Sequence, residues 1–320
     1  MNDNNYILGI DTSNYKTSVA VTDRKGNIVC DYRELLKVKQ GEKGLRQSDA
    51  LFQHIKNLPR LLEETMNIHQ HDFDAVAYSS KPRPMENSYM PVFLAGEGYG
   101  KAIAAALRVP AFEFSHQEGH IEAIKAYSRH RDKERVLACH FSGGTCEVLR
   151  VKDNDRGYDI DIVGGSMDIS FGQVLDRLGV QLGMPFPAGE EMDRIAVNAD
   201  SESQCLTPVK VNDGWINLSG IDTQARRTLA DMYISDATPV IRELFHKMSD
   251  AIVAMIKQCT EKTGISDVIM AGGVTASSFI KETISRAPES TGIDVEFGDG
   301  KLAQDNAVGI ALLGGRFLWR

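Results

Sequence analysis

Two histidines four residues apart are the side chains in this sequence that most directly suggest metal chemistry. His116 and His120 stand in the stretch 115–120, SHQEGH. On a helix they share one face, and two imidazoles at that spacing can bind one divalent metal ion. Glu118 lies between them on a different face, so we expect it to contact substrate or to support the ligands. Such pairs also occur as ordinary polar residues at helix starts, so a metal site requires a third ligand from a distant segment.

Length, charge and composition restrict the function classes. The 320 residues are 42% hydrophobic and 25% charged, an ordinary globular balance, and this length predicts two domains or lobes. The net charge of −8 argues against a chain that is basic throughout, so a nucleic-acid partner requires a local basic patch or another subunit. The five cysteines are scattered and odd in number, which predicts reduced thiols in a cytoplasmic protein.

We expect no membrane partner. No apolar run approaches the roughly 20 residues that a membrane span needs. The polar start 1–5 lacks the basic and apolar pattern of a signal peptide.

Hydrophobic periodicity predicts an α/β protein with an internal duplication. A strand–turn–strand unit at 6–22 opens the chain and precedes a third strand at 28–30 and a helix at 47–66. A similar unit, 136–151, opens the second half, so two βββαβα lobes are expected. The other predicted helices are 91–107, 115–127, 176–182, 190–196, 239–263 and 307–313, with one more between 274 and 293. The other predicted strands are 74–78, 109–114, 159–163, 267–270 and 293–297, and 216–220 is predicted as a strand that enters a loop.

The lobe boundary is predicted in the charged connector, 129–135, which we interpret as a solvated loop. This gives an N-terminal lobe, 1–130, completed by the C-terminal helix 305–320, and a C-terminal lobe, 131–304.

Three glycine-bearing stretches, 9–12, 142–145 and 271–274, each follow a predicted strand. Backbone N–H groups freed by such turns can bind phosphate. Within a duplicated arrangement they favour the two-lobed fold of actin, Hsp70 and sugar kinases (ASKHA), with a nucleotide between the lobes. The hydroxyl-rich corner 11–17 could wrap a phosphate or form an ordinary hairpin turn.

The motifs of this chain resemble, in order and spacing, those of the TsaD/Gcp-type (Kae/YgjD-type) family. Its members are tRNA threonylcarbamoyladenosine synthases, formerly described as O-sialoglycoprotein endopeptidases. The resemblance covers nearly the whole chain, and the His-x-Glu-Gly-His motif with a late Asp-Asn is its most specific part. The matching stretches are LGIDTS at 8–13, HQEGH at 116–120, SGG at 142–144, AGGV at 271–274 and DN at 305–306.

The resemblance implies that His116, His120 and Asp305 hold one divalent metal ion, iron or zinc, with open positions for substrate. In the family the metal binds threonylcarbamoyl-adenylate as a Lewis acid, N6 of a tRNA adenosine attacks the carbamoyl carbon, and AMP leaves. Glu118 is the candidate catalytic residue. The residues implied for the adenylate-type nucleotide are Ser142, Gly143 and Gly144 at the phosphate, Asp176 and Gly189 at the ribose and adenine, and Gly272 and Gly273 at the floor of the site.

Several positions around these residues depart from the family pattern. An acidic pair, a Gly-Pro-Gly loop, a histidine and an asparagine are all replaced. Because the metal ligands are retained, the pattern indicates a divergent paralogue with the same core chemistry and an altered acceptor. The replacing residues are Tyr15, Lys16, Lys81, Arg83, Thr145 and Ser277.

The leading interpretation is metal-dependent transfer of a threonylcarbamoyl group to tRNA, with partner subunits of a threonylcarbamoylation complex. A carbamoyltransferase with a different, anionic acceptor is an alternative, because Lys16, Lys81 and Arg83 add positive charge. A non-catalytic, nucleotide-binding regulatory subunit of the same fold is a further alternative. Proteolysis ranks last, because Glu118 does not directly follow His116 as the His-Glu-x-x-His pattern requires.

Overall fold

The computed structural model describes residues 5–13, 15–38, 45–68, 72–155, 157–286 and 292–319. Residues 1–4 of the polar start, and Asn14 of the hydroxyl-rich corner, lie outside the described residues. The chain divides into two compact units. The first unit comprises Met1–Tyr127, Asp153–Tyr158 and Lys301–Arg320, and the second comprises Ser128–Lys152 and Asp159–Gly300. The domain boundaries expected from the sequence stay a prediction.

The first unit is built on a five-stranded sheet in the order β3-β2-β1-β4-β5. The central strand β1 is buried along its whole length, pairs antiparallel with β2 and pairs parallel with β4. A strand buried on both faces favours the apolar run seen there. The elements are β1 Tyr6–Thr12, β2 Lys16–Asp23, β3 Ile28–Leu35, α1 Gln47–Ile68, β4 Phe73–Lys81, α2 Phe93–Leu107, β5 Ala111–Ser115 and α3 His116–Lys125.

The second unit is built on a six-stranded sheet in the order β11-β10-β6-β7-β8-β9. Its order β8-β7-β6-β10-β11 repeats that of the first sheet, so the predicted duplication is confirmed, with β9 added at one edge. The elements are β6 Arg135–Phe141, β7 Cys146–Asn154, β8 Gly157–Ser166, α4 Phe171–Gln181, α5 Gly189–Asn198, β9 Trp215–Ile216, α6 Ser219–Thr228, α7 Ile234–Thr263, β10 Asp267–Ala271, α8 Ser278–Arg286 and β11 Asp294–Phe297.

Several predicted elements differ from the structure in their bounds: α7 begins five residues earlier than predicted, and β3 and the helix predicted at 307–313 end five residues later. Two further differences concern β9 and α4. The strand expected at 216–220 has only its first residue in β9, because Ser219 begins α6, a helix that was not predicted. Helix α4 begins at Phe171, five residues before its predicted start. Ser170 sets this start, because its hydroxyl accepts the Gln173 N–H while the Gln173 side chain accepts the Ser170 N–H.

The last helix, α9 (Val308–Leu318), returns to the first unit and packs on α3 and β1. Glycines allow these approaches, since a Cβ on Gly309 would lie 1.8 Å from the Gly119 carbonyl oxygen. A Cβ on Gly9 would lie 2.5 Å from the Ala307 carbonyl oxygen. Gly9 is therefore a residue of β1 at which α9 approaches closely. The turn predicted at 9–12 is wrong, because these residues belong to the strand, and phosphate binding there stays a prediction. The crossing brings the start of α3 close to the segment before α9.

No helix in the described ranges is both long enough and apolar enough to cross a membrane.

The fully buried carboxylate of Glu243, on α7, holds the loop residues 203–206 through hydrogen bonds. It accepts hydrogen bonds from the Ser203 hydroxyl at 2.5 Å and from the backbone N–H groups of Cys205 and Leu206 at 2.9 and 3.0 Å. Burial alone would raise the pKa of Glu243, but the donors outweigh it and the pKa lies below its ordinary value. Its contribution to stability is therefore present above pH 4.5 and is lost as the pH falls through the lowered folded-state pKa.

We expect Glu243→Gln to lower the free energy of unfolding at pH 7 by about 1–3 kcal/mol, because an amide nitrogen would face backbone donors. Urea unfolding from pH 7 to pH 3 should show the gap between Glu243→Gln and wild type closing as the pH falls. Glu261→Gln, at an exposed position of the same helix, is the matched control and should change little. A gap that does not depend on pH would contradict the assigned charge state.

Candidate metal centre

The start of α3 is fixed by a reciprocal cap between Ser115 and Glu118. The prediction that the two histidines of the stretch 115–120 lie on a helix is confirmed. The Ser115 hydroxyl accepts the Glu118 N–H at 3.2 Å, and Glu118 Oε2 accepts the Ser115 N–H at 2.8 Å. This capping box satisfies the backbone donors that a helix start leaves free. His116 is the first residue of the helix and His120 follows one turn later, so both imidazoles lie on one face.

Glu118, the other partner in this cap, is buried. Its carboxylate also accepts the Ser115 hydroxyl proton at 2.7 Å. Burial raises the pKa of Glu118, while the donors from Ser115 and the Tyr158 N–H oppose the rise. The carboxylate thus holds the start of α3 and contacts Tyr158, which belongs to the same unit, and its catalytic role stays a prediction.

Three ligand-type atoms converge at the start of α3. His120 Nε2 lies 3.0 Å from His116 Nε2 and 3.0 Å from Asp305 Oδ1. His116 Nε2 lies 3.5 Å from the same carboxylate oxygen. These separations allow one ion to lie about 2.0–2.2 Å from all three atoms, the usual bond length to imidazole nitrogen and carboxylate oxygen. The residues therefore fit a divalent metal, and Asp305 supplies the third ligand-type atom that the histidine pair required.

Asp11 of β1 sets the orientation of the first imidazole. The His116 Nδ1–H donates to Asp11 Oδ1 at 2.9 Å, which leaves the Nε2 lone pair facing the other two ligands. Asp11 is fully buried, and its Oδ2 has no hydrogen-bond partner among the described residues. A buried carboxylate in this state favours positive charge nearby.

The charges of the centre favour a bound cation. Burial opposes the imidazolium form of His116, but the carboxylates of Asp11 and Asp305 outweigh it and raise its pKa well above the ordinary value. Burial also opposes the ionised form of Asp305, but His116 and His120 outweigh it and hold the pKa well below its usual range. The centre thus attracts a proton or a metal ion, and the two compete.

Asp305 is held by Ser13, which follows β1, and by the loop before α9 to which it belongs. Asp305 Oδ2 accepts the Ser13 hydroxyl proton at 2.5 Å, so Oδ1 is left to face the histidines. The Asn306 amide donates to the carbonyl oxygens of Leu302 and Gln304 at 2.9 and 2.7 Å. Asn306 therefore fixes the loop that presents its neighbour, which explains the Asp-Asn pair physically.

A second group of side chains has ligand-type atoms close together, in the second unit. The ring nitrogens of His130 lie 3.4 Å from Asp267 and 3.6 Å from Asp294, and the side chain is buried. Lys133 and Arg129 pair with these carboxylates at 3.1 and 2.5 Å. Each nitrogen faces a different, already neutralised carboxylate, so the group is best described as an ion-pair network. The charged connector thus contacts β10 and β11 through Arg129, His130 and Lys133. Its prediction as a solvated loop is confirmed, because the side chains at 129 and 131–135 are exposed and only His130 is buried.

The turn 142–145 closes β6 onto β7 and has open space beside it. The Ser142 hydroxyl accepts the N–H groups of Gly144 and Thr145 at 3.4 and 3.0 Å, and Gly143 O accepts the Ser170 hydroxyl proton at 2.7 Å. A Cβ on Gly143 or Gly144 would meet nothing within 4 Å. A ligand can therefore approach this backbone closely.

The turn 271–274 lies beside it, because β6 and β10 are parallel neighbours with Ala271 opposite His140. Gly272 has φ +93°, and a Cβ there would lie 2.3 Å from the Phe141 carbonyl oxygen, so only glycine fits. Gly273 has open space around it. Two of the three predicted phosphate turns thus share one edge of one sheet.

Asp176 and Gly189 are also close together. Asp176 Oδ1 accepts the Ala188 N–H at 2.8 Å, next to the first residue of α5. Burial raises the pKa of Asp176, and the Ala188 N–H only partly opposes it. The carboxylate therefore fixes the approach to α5.

The positions that depart from the family pattern have local partners. Lys16 Nζ donates to Gln304 Oε1 at 2.6 Å, and Lys81 Nζ lies 4.0 Å from Glu113. The Ser277 hydroxyl donates to Asp193 at 2.5 Å, at the start of α8. The other positions are Tyr15, which is exposed, and Arg83 and Thr145, which are half-buried.

Reasoning from the sequence missed Asp11 and Ser13 as supports of the ligands. A carboxylate inside an apolar strand was the available signal for Asp11. The hydroxyl-rich corner was interpreted as a phosphate loop or a hairpin turn, whereas Ser13 faces Asp305. The capping box Ser-x-x-Glu at 115–118 was also readable, and it would have given Glu118 its observed role.

Comparison with known sequences gives matches along nearly the whole chain. The model of a family described as TsaD, tRNA N6-adenosine threonylcarbamoyltransferase, matches residues 34–312. A protein of that name from Neorickettsia sennetsu is 27% identical over 315 residues, which are 96% of this chain and 92% of the relative. Another from Thermus thermophilus is 28% identical over 313 residues, 96% of this chain and 91% of the relative.

Comparison with solved structures shows the fold. HypF from T. kodakarensis superposes with a TM-score of 0.63 at 12% identity, over 99% of this chain and 48% of that chain. A ROK family glucokinase from Streptomyces griseus gives a TM-score of 0.54 at 13% identity, over 96% of this chain and 98% of that chain. The predicted fold class, α/β of the ASKHA type, is confirmed.

Proposed function

Because this chain belongs to the tRNA N6-adenosine threonylcarbamoyltransferase family, a family of transferases, we propose that it transfers a threonylcarbamoyl group from threonylcarbamoyl-adenylate to N6 of a tRNA adenosine. The observation that carries the proposal is the convergence of His116 Nε2, His120 Nε2 and Asp305 Oδ1 within 3.5 Å of one another. Two imidazoles and one carboxylate leave further coordination positions for substrate. We assign one divalent ion, iron or zinc, to these ligands.

When bound, the ion supplies Lewis acidity to an oxygen-rich substrate. The chain itself supplies orientation. Asp11 keeps the proton on His116 Nδ1, and Ser13 turns one oxygen of Asp305 toward the imidazoles. Both contacts are made by side chains of this chain itself, which orients the ligand-type atoms in advance.

The adenylate part of the donor is assigned to the second unit. The two neighbouring glycine turns offer backbone N–H groups and open space, as phosphate oxygens require. The carboxylate near the start of α5 suits the hydroxyl groups of a ribose. The residues proposed are Ser142, Gly143 and Gly144 for the phosphate, Asp176 and Gly189 for the ribose and adenine, and Gly272 and Gly273 for the floor of the site.

tRNA is the proposed macromolecular partner, and other subunits are proposed to supply the basic surface that it needs. The net charge of −8 supports this division, because phosphate binding depends on Lys and Arg. All five cysteines have free thiols, which is consistent with the proposed cytoplasmic location.

Nucleoside mass spectrometry of tRNA tests the proposal. Incubation with threonine, bicarbonate, ATP, tRNA, the synthase that makes the adenylate and the partner subunits should yield N6-threonylcarbamoyladenosine. His120→Ala should lower the yield at least ~100-fold, since even residues behind metal ligands typically matter 10–100-fold. His246→Ala, in the second unit and paired with Glu202, is the matched control and should retain full yield. No modified adenosine in the presence of an active synthase would contradict the proposed acceptor.

A carbamoyltransferase with a smaller anionic acceptor is the second candidate, and Lys16 favours it. Its ammonium group bonds Gln304 and lies near Asp305, at a position where the family has an acidic residue. Burial lowers the pKa of Lys16, and the Asp305 carboxylate opposes that. Carbamoyl transfer to an added small anion, with unmodified tRNA, would establish this candidate. A nucleotide pool unchanged under all conditions would instead support the regulatory subunit.

A further inference from the structure

We propose that His54 is a positioning residue of the metal centre, and that it orients Asp305 by holding Ser13. His54 lies on α1 and touches none of the three ligands. The inference rests on the proposed function, because it assigns His54 to the support of that centre.

His54 is fully buried and both ring nitrogens have partners. Nε2 lies 2.7 Å from the Ser13 carbonyl oxygen and Nδ1 lies 2.8 Å from Thr17 Oγ1. A carbonyl can only accept, so Nε2 carries the proton and Nδ1 accepts from the Thr17 hydroxyl. Asn57 Nδ2 in turn donates to Thr17 Oγ1 at 3.2 Å. The direction of every hydrogen bond in this chain of contacts is thereby determined.

The imidazole ties together both ends of the β1–β2 corner. Thr12 and Thr17 are opposite each other in the two strands, and Ser13 follows directly after β1. Burial lowers the pKa of His54, while the Ser13 carbonyl and the Asp11 carboxylate oppose this. A neutral ring with one donor and one acceptor is the species that both contacts require.

Ser13 links His54 to the proposed metal ligand Asp305. Its carbonyl oxygen is held by His54, and its N–H donates to the Lys16 carbonyl oxygen at 3.2 Å. With the backbone fixed on both sides, the hydroxyl reaches Asp305 Oδ2 at 2.5 Å. That bond leaves Oδ1 facing the histidines. A loosened Ser13 would let the carboxylate rotate and would separate the three ligand atoms.

Two substitutions of His54 separate positioning from simple packing. The amide nitrogen of glutamine can take the place of Nε2 and still donate to Ser13. An asparagine side chain is shorter and reaches only the place of Nδ1, so it can still bond Thr17. Both remove the ring from the same buried position and should destabilise the metal-free protein similarly.

Zinc affinity of the full chain, measured by chelator competition, is the readout. We expect His54→Asn to weaken zinc binding ~10–100-fold and His54→Gln to weaken it by less than ~10-fold. Ser13→Ala should weaken binding as His54→Asn does. The double variant His54→Asn/Ser13→Ala should bind zinc as tightly as Ser13→Ala alone, because both substitutions act through the Ser13 hydroxyl. Thermal unfolding of the metal-free variants reports any general loss of stability.

Each outcome bears on one claim. Unchanged zinc affinity in His54→Asn, or losses that add in the double variant, would overturn the role of His54 and leave the centre intact. Equal losses in His54→Asn and His54→Gln would show packing alone. Wild-type protein that binds zinc no better than Asp305→Ala would overturn the centre itself, and with it the inference.

Discussion

Replacing Asp305 with asparagine is expected to abolish stoichiometric metal binding while the protein stays folded. The amide keeps the size of the side chain but removes the charge that faces His116 and His120 at 3.5 and 3.0 Å. Divalent iron and zinc bind carboxylate oxygen far better than amide oxygen. The buried carboxylate of Asp11 then still accepts the hydrogen bond from His116 Nδ1.

We expect the affinity for zinc or iron to fall at least ~100-fold, because even residues that only hydrogen-bond to metal ligands typically change affinity 10–100-fold. Transferase activity should fall with it. Metal content after gel filtration, measured by mass spectrometry, and circular dichroism of the same samples check the prediction. Asp72→Asn, at an exposed position of the first unit, is the matched control. Full metal content in Asp305→Asn would remove Asp305 from the ligand set.

Replacing Gly309 with alanine is expected to have the largest effect on stability. The added methyl group would lie 1.8 Å from the Gly119 carbonyl oxygen and 2.9 Å from the Ala123 nitrogen. Both neighbours are backbone atoms, so α9 itself must move away from α3. We expect the free energy of unfolding to fall by at least ~3 kcal/mol, the upper end of the usual loss when a methyl group is added to a packed core.

Gly98→Ala is the matched control, since it makes the same chemical change in α2 with nothing within 4 Å. It should be neutral or stabilise the protein by up to about 1 kcal/mol through helix propensity. Denaturant unfolding of both variants checks the pair. Zinc affinity of Gly309→Ala should also fall, because α9 begins three residues after Asp305. A Gly309→Ala protein as stable as Gly98→Ala would contradict the close crossing.

Local signals in the sequence account for much of the fold. The strands β1, β2, β4, β6 and β10 were predicted because each is a short apolar run that ends in polar or glycine-rich residues. Helix α6 was missed because SGIDTQARRT is largely polar, and only Ile221, Asp222 and Ala225 are buried. A helix with so narrow an apolar stripe has little periodicity to detect.

The metal centre was only partly predictable, for a different reason. The histidine spacing is local and could be interpreted directly, whereas Asp305 entered through the resemblance to a family. Asp11, Ser13 and His54 depend on how strands and helices distant in sequence are placed, which no local pattern specifies. Gly9 was misinterpreted for the same reason. Its missing side chain leaves room for α9, a helix about 300 residues later in the sequence.

The order of the ligands along the chain has a consequence for biosynthesis. Asp305 follows His120 by 185 residues, so at ~5–20 residues per second the ribosome needs roughly 10–40 s to make the rest of the ligand set. During that time the nascent first unit lacks α9, and the strand face around Gly9 is uncovered. The proposed metal centre therefore cannot be completed before translation is nearly finished, and a chain cut short before residue 305 would hold the two histidines without the carboxylate of Asp305.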